Sequence, residues 1–240
     1  MKRPKLFCLH FGGGNQFSLL KLKKSISPSV NVVFLEVPGR GKRLREPLLT
    51  NLDSMALDIY KQVKSHLKND EDYILFGHSL GGMLIFLVSR LLRDNYDKMP
   101  IHLIPSGVKA PKFNNDGKII FHQLTESNFK KELFNLGGIP KEVMADKELL
   151  DFFLPILKAD FTAIETYKYV ESEPMDIPIT ALSGLEENIS VEDLKKWNNE
   201  TTKEVEIMQF KGDHFFVLNE LDTIGNLINM IFKRDLVELE

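Results

Sequence analysis

The stretch that leaves this chain least freedom is YILFGHSLGGM, residues 73–83. The run YILFG reads as a buried strand, and the apolar segment 79–93 reads as a helix packed over much of its circumference. Between them stands G-x-S-x-G, formed by Gly77, His78, Ser79, Leu80 and Gly81. A strand that passes into a helix within so few residues must turn sharply at Ser79, with strained backbone angles. Side chains at positions 77 or 81 would collide with the neighbouring strand and helix. Such a turn lifts the serine Oγ above the sheet edge beside a helix N-terminus, whose free N–H groups favour developing negative charge. A serine that merely caps the helix would not need glycine on both sides. Ser79 is therefore the candidate nucleophile.

The rest of the chain predicts the sheet that such a turn requires. Five further apolar runs, at 6–11, 31–37, 101–107, 179–184 and 205–212, alternate with helical patterns, and most end in glycine or proline. Buried parallel strands with right-handed crossovers have this signature, so the fold expected is α/β in a single domain spanning residues 1–240. Between about residues 112 and 170 the alternation stops. The region turns helical, divided into short helices by Gly137, Gly138 and Pro140, and is read as a lid across the carboxyl edge of the sheet. A formal net charge of -3 gives no reason to expect nucleic acid or an anionic membrane as partner. No apolar run approaches the roughly 18 residues of a membrane span, and the N-terminal MKRPKLFCLHF reads as a first strand rather than a secretory signal. With Cys8 as the only cysteine, a reducing, cytoplasmic setting is the expectation.

A nucleophilic serine needs a base and an orienting acid. Of the six histidines, His214 in FKGDHFFVL follows the last predicted strand, on the loop where a triad histidine in this chain order belongs. His78 is badly placed to take the Ser79 proton, and the others sit in the first loop, a helix, a strand or the lid. The acid is expected after the strand 179–184, where Glu186, Glu187, Glu192 and Asp193 are candidates and the first two lie nearer the strand end. Oxyanion donors are expected from the backbone N–H of Leu80 and from Phe11 or Gly12 in the loop HFGGGN. That loop lacks both the G-K-[ST] ending of a P-loop and the G-x-G-x-x-G spacing of dinucleotide sites. Histidine spacing suggests no metal site, so no cofactor is expected.

Several stretches together resemble the stand-alone type II thioesterases of nonribosomal peptide and polyketide synthases, within the α/β-hydrolase superfamily. They are LHFGGG (9–14), EVPGRGKRL (36–44), LFGHSLGG (75–82), FNLGGIPKEV (134–143), LPILKADFTAIETY (154–167), PITALSGLEEN (178–188) and FKGDHFFV (210–217). The elbow alone is common to many hydrolases; the P-G-R-G segment and L-x-A-D-F-x-x-x-E are far more specific. The resemblance implies an α/β-hydrolase fold with a helical lid. It also implies hydrolysis of acyl thioesters on the phosphopantetheine arm of acyl or peptidyl carrier domains, clearing misprimed or stalled groups. It carries the nucleophile to Ser79, the base to His214 and the acid to Glu187, with Glu186 as alternative. Lid residues Phe129, Phe134, Phe152 and Phe153 are candidates to face the acyl chain, and a monomer is expected. Three departures stand out: glutamate where the family usually has aspartate, Asp213 where a glycine commonly precedes the histidine, and His10 near the first glycines where proline is more usual. The rival readings are a carboxylesterase or acyl-CoA thioesterase, a carrier-loading acyltransferase, which would transfer acyl groups to a second thiol, and a non-catalytic binding protein with an unreactive Ser79.

Overall fold

The computed structural model describes residues 3–67, 71–113, 120–136 and 146–237. Six strands form one sheet: β1 Lys5–Leu9, β2 Asn31–Leu35, β3 Tyr73–His78, β4 His102–Ser106, β5 Ile179–Gly184 and β6 Val205–Phe210. Each corresponds to one of the six apolar runs. Their order is β2-β1-β3-β4-β5-β6, and every pairing is parallel. β1, β3, β4 and β5 are buried along their whole length, which is why they read as unbroken apolar runs rather than alternating ones.

Helices cover both faces. On one side lie α1, Leu52–His66, and α2, Leu80–Asp94. The stripe Leu52, Met55, Ala56, Ile59 and Val63 of α1 is buried, whereas α2 buries every one of its first ten residues. On the other side the C-terminal helix Leu221–Val237 and the turn Leu20–Lys24 pack over Leu6, Cys8, Ile74 and Phe76. The chain runs from β1 outward to β2, then returns to place β3 on the other side of β1. That reversal between β1 and β3 is the point where a parallel α/β sheet opens a crevice at its carboxyl edge. The loops carrying Gly12 and Ser79 leave the sheet there, from adjacent strand ends paired at Leu9 and Gly77.

The helical insertion contains α3, Glu126–Leu136, and α4, Lys147–Thr166. Gly137, Gly138 and Pro140, expected to divide the lid, lie outside the described residues. Instead of only short pieces, α4 runs for 20 residues straight through Pro155. Packing on both sides of the proline offsets the backbone hydrogen bond it removes. Leu150, Leu154 and Leu157 belong to a small core with Phe129 and Leu133 of α3, whereas Ala163 joins the main core beside α1 and α2. α4 thus bridges two cores. Among the described residues no helix is long and apolar enough to cross a membrane.

Candidate active site

Ser79 sits between β3 and α2 with φ 54° and ψ -115°, in the left-handed half of the map that side-chain-bearing residues avoid. Close packing around the turn imposes this. A Cβ on Gly77 would lie 2.3 Å from Gly81 O, and one on Gly81 would lie 2.5 Å from Leu9 O. The elbow is tied to β4 by a hydrogen bond from Ser79 N–H to Ser106 O, 2.7 Å. Although Ser79 occupies the position before the helix, its side chain makes no capping hydrogen bond. The strain therefore presents a hydroxyl rather than closing a helix end.

His214 stands on the loop after β6, and three contacts aim that loop at the elbow. His78 Nε2 donates to His214 O at 2.8 Å, while His78 Nδ1 lies 2.9 Å from Ser106 Oγ. Burial, then the neighbouring His214, pushes the His78 pKa well below its ordinary value, so the ring stays neutral. Glu186 N–H donates to Gly212 O at 3.0 Å, and Phe216 stacks on Phe210 with ring centres 5.4 Å apart. Asp213 accepts the Phe215 N–H at 2.8 Å. Its carboxylate thus stabilises the turn, which accounts for an acid at this position.

The Glu187 carboxylate lies 3.4 Å from His214 Nδ1 and is only 4% exposed. Among the described residues neither of its oxygens accepts a hydrogen bond. Glu186 is exposed and contributes through its backbone, and Glu192 is exposed too, paired with Lys195. Asp193 completes a capping box with Ser190. Among the described residues no hydrogen bond joins Ser79 Oγ to His214; such contacts commonly tighten only with substrate bound.

Leu80 opens α2, so its N–H has no intrahelical acceptor. Across the crevice, Phe11 O accepts the Gly14 N–H at 3.0 Å and the His10 Nδ1 proton at 2.8 Å. Gly13 N–H donates to Asp160 of α4 at 2.7 Å. The Gly12 N–H has no partner among the described residues. Burial and the charge of Arg40 push the His10 pKa down to about 4, keeping its ring neutral.

The lid candidates divide. Phe129 is 3% exposed and belongs to the lid's own small core, and the partly buried Phe153 packs against the same cluster. Phe134 and Phe152 are 59% and 47% exposed.

Charged residues inside the two most specific stretches carry an arrangement that sequence reasoning left without a role. Arg40 of P-G-R-G makes a two-pronged ion pair with Asp160, at 2.7 and 2.8 Å. Glu36 accepts the backbone N–H groups of Gln16 and Lys42 at 2.8 and 2.7 Å. Glu165 holds the N–H groups of Phe121 and His122. The available signal was a charge on an otherwise apolar helix stripe, Asp160 between Leu157 and Ala163. Among the described residues no group of three or more His, Cys, Asp or Glu side chains is placed to hold a metal ion.

A serine on a strained elbow at the switch point of a parallel sheet, with a histidine loop after the last strand and helices inserted above, defines a hydrolase of the α/β-hydrolase superfamily. Its family follows from the comparison with known proteins. The chain belongs to the thioesterase domain family, whose pattern matches residues 4–234. It is similar to ClbQ from the colibactin NRPS/PKS pathway, with a TM-score of 0.92 and 30% identity over 98% of this chain and 99% of that one. Gramicidin S biosynthesis protein GrsT of Aneurinibacillus migulanus is 31% identical over 89% of this chain and 82% of its own. Linear gramicidin dehydrogenase LgrE of Brevibacillus parabrevis is 33% identical over 97% of this chain and 89% of its own. The likeness to type II thioesterases of nonribosomal peptide and polyketide pathways stands on such matches. The dehydrogenase name belongs to that relative. Here the loop after β1 presents its Gly13 N–H to a carboxylate, a poor setting for the pyrophosphate of a dinucleotide.

Proposed function

We propose that this protein hydrolyses acyl thioesters from the phosphopantetheine arm of acyl or peptidyl carrier domains in a nonribosomal peptide or polyketide synthase, through an acyl-enzyme on Ser79. The observation that carries the reading is the pairing of a strained, non-capping Ser79 with a buried Glu187 carboxylate beside His214 Nδ1. A desolvated carboxylate without hydrogen bonds gains most from a neighbouring cation, and His214 becomes one only when it takes a proton. Glu187 thereby favours the state in which Ser79 has lost its hydrogen.

As Ser79 Oγ bonds to the thioester carbon, its proton passes to His214 Nε2 and the carbonyl electron pair moves onto oxygen. The N–H of Leu80 and that of Gly12 or Phe11 receive this oxyanion. Collapse breaks the C–S bond, and the thiolate leaves with the His214 proton as free thiol. Water, deprotonated by His214, then attacks the acyl-enzyme; the acid is released and Ser79 regains its hydrogen. Because a thiolate leaves readily, moderate activation suffices. Phe134 and Phe152, exposed on the lid, are the residues proposed to border the acyl chain.

The test is turnover of an acyl-loaded carrier by parent and Ser79→Ala enzyme. Release of free acid by the parent and its loss in the variant supports the reading. Undiminished release by the variant rejects the nucleophile, and acyl transfer to a second thiol with little free acid rejects hydrolysis. Equal kcat/KM for acyl-CoA and acyl-carrier would remove the carrier from the proposal.

A further inference from the structure

Asp160 is the meeting point of three segments at the carboxyl edge of the sheet. It projects from lid helix α4, receives both terminal guanidinium nitrogens of Arg40 from the loop after β2, and accepts the Gly13 N–H from the loop after β1. Arg40 and Asp160 are 2% and 1% exposed. A second carboxylate, Glu36, holds the far end of the glycine loop through Gln16 N–H. Leu157, one helical turn before Asp160, lies against Gly13 so closely that a Cβ there would come within 2.5 Å of it. Three glycines in succession would otherwise leave this loop free to sample many conformations. Here its Gly12–Gly13 segment is clamped from above, and of the three glycine N–H groups only that of Gly12 has no partner among the described residues.

A buried ion pair is a poor device for stability, since an apolar pair of similar volume often serves as well. Its geometry, in contrast, is specific: the planar fork of Arg40 fixes the carboxylate plane, and one carboxylate oxygen fixes Gly13. We infer that Asp160, oriented by Arg40, is a positioning residue for the reaction, fixing the Gly12–Gly13 peptide and through it the direction of the adjacent Gly12 N–H, so that the lid helix becomes part of the oxyanion-binding apparatus. This rests on the reading above that the loop after β1 supplies an oxyanion donor.

The experiment compares the parent with Asp160→Asn and with the double variant Arg40→Met/Asp160→Leu. It measures kcat and KM on an acyl thioester, Tm, and affinity for a trifluoromethyl ketone that forms a tetrahedral adduct with the serine. A misplaced donor is expected to lower kcat by about 10- to 100-fold with KM within about twofold, and to weaken the ketone by a matching factor. In the double variant this loss should persist while Tm returns to the parental value. A double variant with parental Tm and parental kcat overturns the inference, as does a kcat loss without weaker ketone binding. If the double variant does not fold, Arg40→Lys, which keeps the charge but not the fork, must still lower kcat and ketone affinity together; parental values for both overturn it. Should the parent itself neither bind the ketone nor turn over, the Ser79 reading falls with it. Should the parent do both and the variants match it, only the role of Asp160 is lost.

Discussion

The two edges of the sheet each carry a hydroxyl, a histidine and a carboxylate, and the shorter hydrogen bonds lie at the edge away from Ser79. At the amino edge, His102 Nδ1 donates to Asp235 at 2.8 Å and Nε2 lies 2.8 Å from Thr180 Oγ1. At the carboxyl edge, His214 Nδ1 is 3.4 Å from Glu187. The difference lies in what surrounds the groups. Thr180 sits in the regular strand β5, fully buried, with its hydroxyl also in reach of Glu206 at 3.1 Å. Ser79 sits on a strained turn, makes no capping bond and stands at the start of a 15-residue helix. A satisfied network stabilises its ground state; groups left short of partners gain only when charge is redistributed. Short hydrogen bonds fill the amino edge, whereas among the described residues the Glu187 carboxylate at the carboxyl edge, where the reaction is proposed, has no hydrogen-bond partner.

Removing each hydroxyl separates the two edges most strongly. Ser79→Ala is expected to lower thioester turnover by about 10³-fold or more, whereas Thr180→Val should leave kcat unchanged; a loss in the second variant would reverse the assignment of the edges. Next come the carboxylates. Glu187→Gln should lower kcat by about 10²- to 10⁴-fold while Tm holds or rises, because the carboxylate has no hydrogen-bond partner among the described residues. Asp235→Asn should do the opposite, leaving kcat intact while destabilising the fold by about 1–3 kcal/mol in denaturant unfolding.

Acid offers a third probe. Burial lowers the pKa of His10, His78 and His102 below the ordinary histidine value. Since each is harder to protonate folded than unfolded, the stability it contributes is present above about pH 6.5 and is lost as pH falls. For His10, whose pKa is pushed down to about 4, the loss spans pH 6.5 to 4. It should reach on the order of 3 kcal/mol, read as the difference between parent and His10→Asn in urea unfolding at pH 7, 5.5 and 4. An identical pH dependence in the two proteins would refute it. The smallest effect is expected at the lid. Phe152→Ala should shift KM between short and long acyl chains by about three- to tenfold with little change in Tm, whereas Phe129→Ala should destabilise the lid core without changing chain preference.

Some of these distinctions were legible before any coordinates. The elbow was, because Gly77 and Gly81 flank a serine between strand and helix patterns, and only close packing requires both glycines. The His214 loop was, because chain order places it after the last strand. The burial of Phe129 and the exposure of Phe152 were not: both are apolar and lie in helical stretches, and which face a lid helix turns inward depends on partners the local pattern does not name. The continuation of α4 through Pro155 was likewise hidden, since tertiary packing overrode the local signal.

The residue pattern was enough for the parallel sheet, the switch from strand to helix at Ser79, and the positions along the chain of the loops that carry His214 and Glu187. These follow from local rules, namely burial of apolar runs, the steric need for glycine and the order of elements along the chain. The tertiary structure sets the surroundings of the two glutamates that the resemblance singled out, with the Glu187 side chain buried beside His214 and Glu186 turned to solvent. It alone brought Asp160 across 120 residues of chain to Arg40 and 147 to Gly13. Such contacts depend on where helices rest against the sheet, a balance of packing over the whole core that no short stretch of residues contains.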